Sequence, residues 1–159
     1  MWLDGQAPVA DNYALKRAGL ISGPRLRDHR SPISERDPAL TTGVFRLFPD
    51  GDPATGMAPS DITSPESFTG DDRTELNATF FETADGATST GVWLCAPCRS
   101  DIESYPVHEL MTVLEGSVTV TTDGKAETFT AGDTFFIAKG TRCVWEITET
   151  LRKFYMIAA

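Results

Sequence analysis

The chain has 159 residues, close to the length of a single domain, and 40% of them are hydrophobic, which is enough for a buried core. Asp and Glu number 23 against 14 Lys and Arg, which gives a formal net charge of −9 at pH 7. This acidic balance argues against nucleic-acid and anionic-membrane partners, because both kinds of binding need a surplus of cations. The apolar runs are only a few residues long, so no transmembrane span is predicted.

The first residues and the cysteine content indicate the cellular compartment, and the histidine content limits the possible reactions. The first residues, Met1 to Asp4, show neither the basic segment nor the long apolar run of a signal peptide. Three cysteines are an odd number, which fits a reducing compartment better than a disulfide framework. We therefore expect a cytoplasmic protein. The two histidines, His29 and His108, limit any histidine-based metal or acid–base chemistry.

The first part of the chain is rich in proline, with eight of the ten prolines before residue 75. Proline fixes φ and donates no backbone hydrogen bond, which disfavours long helices and central strands. A short helix over Asn12–Leu20, a strand over Gly43–Phe48 and a loop over Pro49–Asp72 are predicted. We interpret residues 1–75 as an irregular Pro/Gly-rich arm draped over the domain or over a neighbouring subunit. Partial disorder is the alternative.

The second part, residues 76–159, consists of short runs rich in Val, Ile, Thr, Phe and Trp that are separated by turn residues. Many short strands at this spacing indicate an all-β barrel or sandwich. Asp123-Gly124 lies between two such runs and predicts a tight hairpin. The predicted strands are Leu76–Glu82, Thr90–Cys95, Glu109–Leu114, Ser117–Thr122, Ala126–Thr130, Thr134–Ala138, Arg142–Thr148 and Arg152–Ile157.

Two glycine-anchored segments in this part resemble the two motifs of the cupin family. The first runs from Tyr105 to Gly116, with Glu109 followed by six residues and Gly116. The second runs from Ala131 to Gly140, with Ala138 where the family has proline. The closing strands are similar to those of the (S)-ureidoglycine aminohydrolase type and of ethanolamine-utilisation cupins. The resemblance implies a double-stranded β-helix, or jelly-roll, barrel, and a homodimer.

The resemblance also locates the four metal-ligand positions of the family. They fall on Glu103, Tyr105, Glu109 and Cys143, and none of them is histidine. Hard oxygen donors combined with one thiolate suit no common divalent ion well. We therefore expect no cofactor, and these four residues are the ligand set if a divalent metal binds after all.

Strand alternation suggests which of these side chains share a face. If they keep the ligand positions that the resemblance implies, Glu103, Tyr105 and Glu109 point into the barrel mouth, with Cys143 opposite. Two carboxylates in a half-apolar barrel repel each other, which favours protonation of one near neutral pH and suits general acid–base work. Glu109 is the first candidate for the base, while Glu103 either binds a cationic substrate group or lies at a solvated strand end. Tyr105 either donates a hydrogen bond to substrate or lines the wall.

The predicted substrate pocket is completed by residues of the neighbouring strands. Lys153 either pairs with Glu109 or holds a substrate carboxylate. The other members are Cys143, Trp145, Met111 and Tyr155. An inert packing role is the main alternative for Cys143 and for the aromatic residues. These assignments depend on the ligand positions that the resemblance implies and on strand parity.

A pair of cysteines and the two histidines are not assigned to the site. Cys95-Ala-Pro-Cys98 has the spacing of redox dithiols, but it follows a strand rather than opening a helix, and a zinc site would need a second pair. We interpret this spacing as coincidence, with an opportunistic disulfide as the alternative. His108 adjoins Glu109 and should project to the opposite face, and His29 is expected to be solvated.

Two functions remain open. The first is a small-molecule enzyme of the ureidoglycine-aminohydrolase type that acts on a polar amine- or amide-bearing metabolite, with Glu109, Glu103 and Tyr105 as catalytic residues. A metal-independent lyase or isomerase is a variant of it. The second is a non-catalytic, metal-free cupin that binds a ligand or serves as an accessory module. A purely structural dimer is a third possibility.

Overall fold

A computed structural model describes residues 43–159 of the chain. The predictions for Asn12–Leu20, for His29 and for the rest of the arm up to residue 42 lie outside the described residues. Strands dominate the described part: β1 (Ala58–Pro59), β2 (Glu75–Glu82), β3 (Thr88–Cys95), β4 (Cys98–Ile102), β5 (His108–Thr122), β6 (Lys125–Thr130), β7 (Thr134–Ile137) and β8 (Cys143–Ala158). Apart from these strands there is one 3-10 turn at Pro65–Ser67. The all-β prediction is confirmed.

The architecture is organised by the two longest strands, β5 and β8, which pair antiparallel with each other along most of their length. On its other edge, β8 pairs first with β4 and then with β3. In the same way, β5 pairs first with β7 and then with β6. Because each long strand passes from one set of partners to another, the sheet curves around a buried interior, as expected for a jelly roll.

Each of the two long strands was predicted as two shorter ones, and this prediction is wrong. The predicted turn at Glu115-Gly116 is a bulge, where the pairing of β5 with β8 shifts register but continues on both sides. Gly116 has a φ of 72°, and a Cβ there would collide with the carbonyl oxygen of Thr150. The glycine therefore serves a close approach inside the ladder and not a chain reversal.

Of the other predicted elements, one is confirmed and one is wrong, and one observed strand was not predicted. The Asp123-Gly124 hairpin is confirmed, with both residues at positive φ and Thr122 paired with Lys125. The strand predicted over Gly43–Phe48 is wrong, because this segment has no strand conformation. Its two phenylalanines still pack on β2 through ring contacts, without backbone pairing. Strand β4 lies outside the predicted segments, since its sequence Cys-Arg-Ser-Asp-Ile has little β-forming character.

Strand β5 illustrates how the core is placed. Glu109, Met111 and Val113 point inward and are buried, as parity predicts, whereas Leu110 is 44% exposed. Leu110 pairs laterally with Phe136 and with Met156, which are also exposed. This row gives the outer face an apolar strip within the described residues. Its cover by the arm or by a second subunit of a homodimer stays a prediction.

Candidate functional site

Three polar side chains meet in the interior of the barrel. The hydroxyl of Tyr105 donates a hydrogen bond of 2.5 Å to Oε2 of Glu109. The ammonium of Lys153 donates to Oε1 of the same carboxylate at 2.8 Å. Glu109 is 2% exposed, Lys153 5% and Tyr105 7%, so the whole chain of contacts is withdrawn from water. A buried charge pair of this kind is tolerated only because each partner is hydrogen-bonded.

The fold explains why these three residues meet. Glu109 and Lys153 lie on the paired strands β5 and β8, where Val113 faces Lys153 and Met111 faces Tyr155. Tyr105 lies in the segment between β4 and β5. Its N–H donates to the carbonyl of Thr141 at 2.8 Å, and its carbonyl accepts from Gly140 N–H at 2.7 Å. This segment is therefore held against the loop that leads into β8.

Lys153 is enclosed by soft and aromatic partners as well as by the carboxylate. Its ammonium lies 5.0 Å from the ring centroid of Trp93 and 4.9 Å from that of Trp145. It also lies 2.9 Å from Sδ of Met111. Cation–π contacts in a desolvated position stabilise an ammonium and restrict its side chain. Of the two roles considered for Lys153, the structure shows the pairing with Glu109.

A second buried carboxylate, Glu75, supports the wall of the site and was missed by the sequence analysis. It accepts hydrogen bonds from the indole N–H of Trp93 at 2.8 Å and from the backbone N–H groups of Ile62 and Thr63 at 3.2 and 2.9 Å. The hydroxyl of Ser60 also donates to it. Glu75 therefore ties the segment before β2 to the aromatic wall. In the sequence, only the position of Glu75 at the start of a strand could have indicated this role.

These groups surround a cavity of about 80 Å³. On the β2 side, Asn77 donates its amide N–H to Thr79, while its Oδ1 is buried without a hydrogen-bond partner among the described residues. An acceptor in this state has its capacity free for a bound molecule. The lining residues are Ile62, Thr63, Asn77, Trp93, Cys98, Ser100, Ile102, Tyr105, Pro106, Glu109, Trp145, Lys153 and Tyr155. The cavity thus has an apolar wall with a few convergent polar groups, which is typical of ligand sites.

Five of the predicted site residues line this cavity: Tyr105, Glu109, Trp145, Lys153 and Tyr155. Tyr155 crosses the barrel to Thr79, its hydroxyl lying 3.0 Å from the threonine Oγ1. This reach depends on Gly91, the β3 partner of Tyr155, because a Cβ there would run into the tyrosine ring. Met111 is fully buried and contacts Lys153 but is not among the lining residues.

The structure corrects the predicted placement of Glu103. Its side chain is 62% exposed and its carboxylate pairs with Arg142 at 3.0 Å on the surface. It lines a separate surface depression with Asp101 and Asp123. Strand β4 ends at Ile102, so the parity that links Glu103 to Tyr105 no longer applies. The second charged group beside Glu109 is therefore the ammonium of Lys153 and not a carboxylate.

Cys143 also departs from its predicted place. It is buried at the start of β8 and packs in the core, but it does not line the cavity. Burial raises the pKa of its thiol, which opposes a nucleophilic role. His108 behaves as predicted: it is exposed, stacks on Phe136 and accepts a hydrogen bond from Lys139 N–H.

The donor set does not fit a metal at the family's ligand positions. Both oxygens of Glu109 are engaged by Tyr105 and Lys153, and a cation already neutralises the carboxylate. Glu103 and Cys143 lie elsewhere, as described above. Within residues 43–159, no group of three or more His, Cys, Asp or Glu side chains is arranged to hold a metal ion. Neither soft nor hard ions find a complete ligand set here.

Comparison with known proteins agrees with the fold. The family model of the EutQ-like cupin domain matches residues 82–155. Over these residues the chain is similar to cupin domains of the EutQ type. The matched segment holds β3 to β7, most of β8 and three of the residues at the centre of the site: Tyr105, Glu109 and Lys153. No curated protein matches the chain.

One solved structure extends the likeness beyond residues 82–155. A protein of unknown function of the DUF861 family from Pseudomonas syringae pv. tomato is 28% identical, with a TM-score of 0.65, over 74% of this chain and 49% of its own. This chain therefore spans about half the length of that relative. The EutQ protein of Clostridium difficile is 18% identical over 54% of this chain and 68% of its own, with a TM-score of 0.46. Among residues 43–159 there is no helix of the length and hydrophobicity that a membrane crossing requires.

Proposed function

We propose that the cupin domain binds a small polar metabolite in its cavity and performs metal-independent acid–base chemistry on it, of the lyase or isomerase type. The observation that carries this proposal is the buried chain from Tyr105 through Glu109 to Lys153 on the cavity wall. An acid–base pair in a site that excludes water is a common basis for proton transfer. A polar amine- or amide-bearing metabolite is the substrate class.

Each residue has a definite part in the proposed reaction. The hydroxyl oxygen of Tyr105 accepts a proton from the ligand while its own proton passes to Oε2 of Glu109, 2.5 Å away. Oε1 stays bound to Lys153, whose positive charge stabilises the anion that develops on the ligand. Return of the proton to another atom of the ligand completes an isomerisation. In an elimination, the bond to a leaving group breaks and the proton is passed back through Tyr105 to the departing group.

The polar lining of the cavity bears on the substrate. The free acceptor of Asn77 favours a ligand that brings an N–H or O–H donor. Hydrolysis by metal-bound water, the route that the aminohydrolase resemblance implies, receives no support from the donor set. The metal-independent variant is therefore the one we propose.

A non-catalytic binding or accessory module is the second candidate. It is favoured by the engagement of both Glu109 oxygens and by the enclosure of Lys153 between Trp93 and Trp145. In that case the polar chain holds the cavity in shape and the ligand is bound without turnover.

The test is a ligand screen on the full chain. Small amines, amides and hydroxy acids are added, binding is measured by thermal shift and NMR, and turnover is followed by mass spectrometry. Glu109→Gln and Tyr105→Phe should abolish turnover of any hit, and Glu103→Gln, at the surface, is the matched control. Binding by the wild type without turnover supports the second candidate. Equal turnover in all variants contradicts the enzyme proposal.

Elemental analysis of protein purified without a nickel column tests the metal-independent part. We expect a substoichiometric content of transition metals and unchanged turnover after treatment with a chelator. A stoichiometric metal that is lost together with activity overturns this part of the proposal.

A further inference from the structure

We propose that Cys95 and Cys98 form a peroxide-reactive dithiol in the cavity wall, which closes to an intramolecular disulfide. The two sulfur atoms lie 3.9 Å apart, with the Cys95 thiol donating to Cys98. Both side chains are buried, and Cys98 lines the cavity. This inference does not rest on the proposed function, because it concerns a pair of thiols that the acid–base chemistry does not use.

The backbone holds the two cysteines close together. Cys95 ends β3 and Cys98 begins β4, and only Ala96 and Pro97 lie between them. The N–H of Ala96 donates to the carbonyl of Thr74 at 2.8 Å, and the carbonyl of Pro97 accepts from the N–H of Thr69 at 3.1 Å. The corner is therefore fixed on both sides. Closure to a bond of about 2.05 Å shortens the distance between the two sulfur atoms from 3.9 Å.

The surroundings shift the pKa values of the two thiols in opposite directions. The hydrogen bond from Cys95 is the main cause of a lowered pKa at Cys98, and the charge of Lys153 acts in the same direction, while burial and the Glu75 carboxylate oppose it. The pKa of Cys95 is raised, first by the hydrogen bond that it donates and then by burial. Cys98 is therefore the thiol that ionises, and it is also the one that the cavity exposes.

The order of the two proposed reaction steps follows from this difference in pKa. The Cys98 thiolate attacks one oxygen of hydrogen peroxide, so that an S–O bond forms, the O–O bond breaks and hydroxide leaves. The Cys95 sulfur then attacks the sulfenic sulfur of Cys98 and loses its proton as the S–S bond forms and the S–O bond breaks. In total, the dithiol is oxidised by two electrons and one peroxide is reduced to two waters. The peroxide is small enough for the cavity.

Cys143 provides an internal control. It is buried in the core, does not line the cavity, and its thiol has a raised pKa because of burial. It therefore shares burial with the pair but lacks a neighbouring thiol, and it lines the surface depression beside Glu103 instead of the cavity.

The experiment titrates the reduced full chain with hydrogen peroxide under native conditions and maps the products by intact mass and peptide mass spectrometry. We expect the loss of two hydrogen atoms, a Cys95–Cys98 cross-link, and oxidation of the pair about tenfold or more faster than of Cys143. The wild-type cross-link needs no variant, so the test does not depend on the folding of a mutant. Modification of all three cysteines at one rate, or only after unfolding, overturns the proposal.

Variants then separate the two steps. Cys95→Ser should halt the reaction at a Cys98 sulfenic acid that dimedone traps, and Cys98→Ser should lose the fast phase altogether. Cys143→Ser should retain the cross-link. Fast formation of a sulfenic acid at Cys95 in Cys98→Ser would overturn the assignment of Cys98 as the attacking thiol. Circular dichroism and melting curves verify that each variant is folded.

Discussion

Lys153 and Glu109 form an ion pair of 2.8 Å between atoms Nζ and Oε1 in the interior of the barrel, where each side chain is at most 7% exposed. The pair joins the two strands that organise the fold, since Glu109 lies on β5 and Lys153 on β8. A cation supplied by the chain thus stands beside the carboxylate at which the cupin resemblance would place a metal.

Breaking this pair should be costly on either side. Glu109→Gln and Lys153→Met each leave one uncompensated buried group, so we expect each to lower the free energy of unfolding by about 3–5 kcal/mol. The double variant should recover much of this loss. Urea unfolding of the four proteins measures the coupling. Glu103→Gln, which breaks the exposed pair with Arg142, should cost no more than about 1 kcal/mol. Additive losses in the double variant would contradict a direct interaction.

Tyr105→Phe should separate function from stability. It removes one hydroxyl that donates to Glu109 and leaves the aromatic ring in place, so we expect a loss of stability of about 1–3 kcal/mol. Ligand turnover, in contrast, should fall by two orders of magnitude or more, about the value of a general acid–base residue. Parallel measurements of urea unfolding and turnover check both expectations. Turnover within twofold of the wild type would remove Tyr105 from the reaction.

Glu75 should be important for the aromatic wall. Glu75→Ala deletes an acceptor that serves the Trp93 indole and two backbone N–H groups, so several buried donors lose their partner. We expect a loss of at least about 3 kcal/mol in urea unfolding and a change in Trp fluorescence. Glu127→Ala, on the exposed strand β6, is the matched control and should change neither. A similar loss in both variants would show that the charge, not the contacts, is responsible.

Gly116 and Gly124 offer a matched comparison. Both have positive φ, of 72° and 74°, so alanine is strained by about 1–2 kcal/mol at either position. Only at Gly116 does a Cβ also meet backbone, the carbonyl of Thr150, whereas space around Gly124 is open. We expect Gly116→Ala to lower the free energy of unfolding by at least about 2 kcal/mol more than Gly124→Ala does. Equal effects would mean that the bulge relaxes freely.

The buried thiol of Cys143 should give stability an alkaline dependence. Its pKa is raised in the folded state by burial, so above the ordinary thiol value of about 8.5 the unfolded chain loses a proton that the folded chain keeps. The contribution is present at lower pH and is lost as pH rises through the alkaline range. Urea unfolding in reducing buffer between neutral and alkaline pH should therefore show a steeper loss of stability in the wild type than in Cys143→Ala. Parallel slopes in the two proteins would contradict this.

Strand parity carried much of the site prediction. Because alternate residues share a face, the inward position of Glu109 predicted that Met111 and Val113 face inward and that His108 faces the other way. The same reasoning placed Lys153 and Tyr155 on one face of the last predicted strand, and Trp145 on the same face as Cys143 in the strand before it. Parity is reliable only within a continuous strand, however. It failed at Glu103, which lies past the end of β4, in a segment that turns before β5 begins.

The residues inside the site show a second limit of prediction from sequence. The ligand positions that the resemblance implies also assigned Cys143 to the pocket. The residue lies on the inner face but not on the cavity wall, since depth along the barrel is not encoded in strand alternation. Asn77 and Glu75 escaped notice because strand β2 comes from outside the motifs that carry the resemblance. Their proximity to Trp93 is a product of sheet pairing between distant segments.

The sequence by itself determined the all-β class, the tight hairpin, the cupin likeness and the inward position of Glu109, because turn chemistry and period-two alternation are local properties of the chain. Only the tertiary structure decided which charge faces Glu109, which thiol reaches the cavity, and that β5 and β8 are continuous. These facts depend on contacts between residues far apart in sequence, such as Glu109 with Lys153 and Gly116 with Thr150, whose geometry is fixed when the sheet closes.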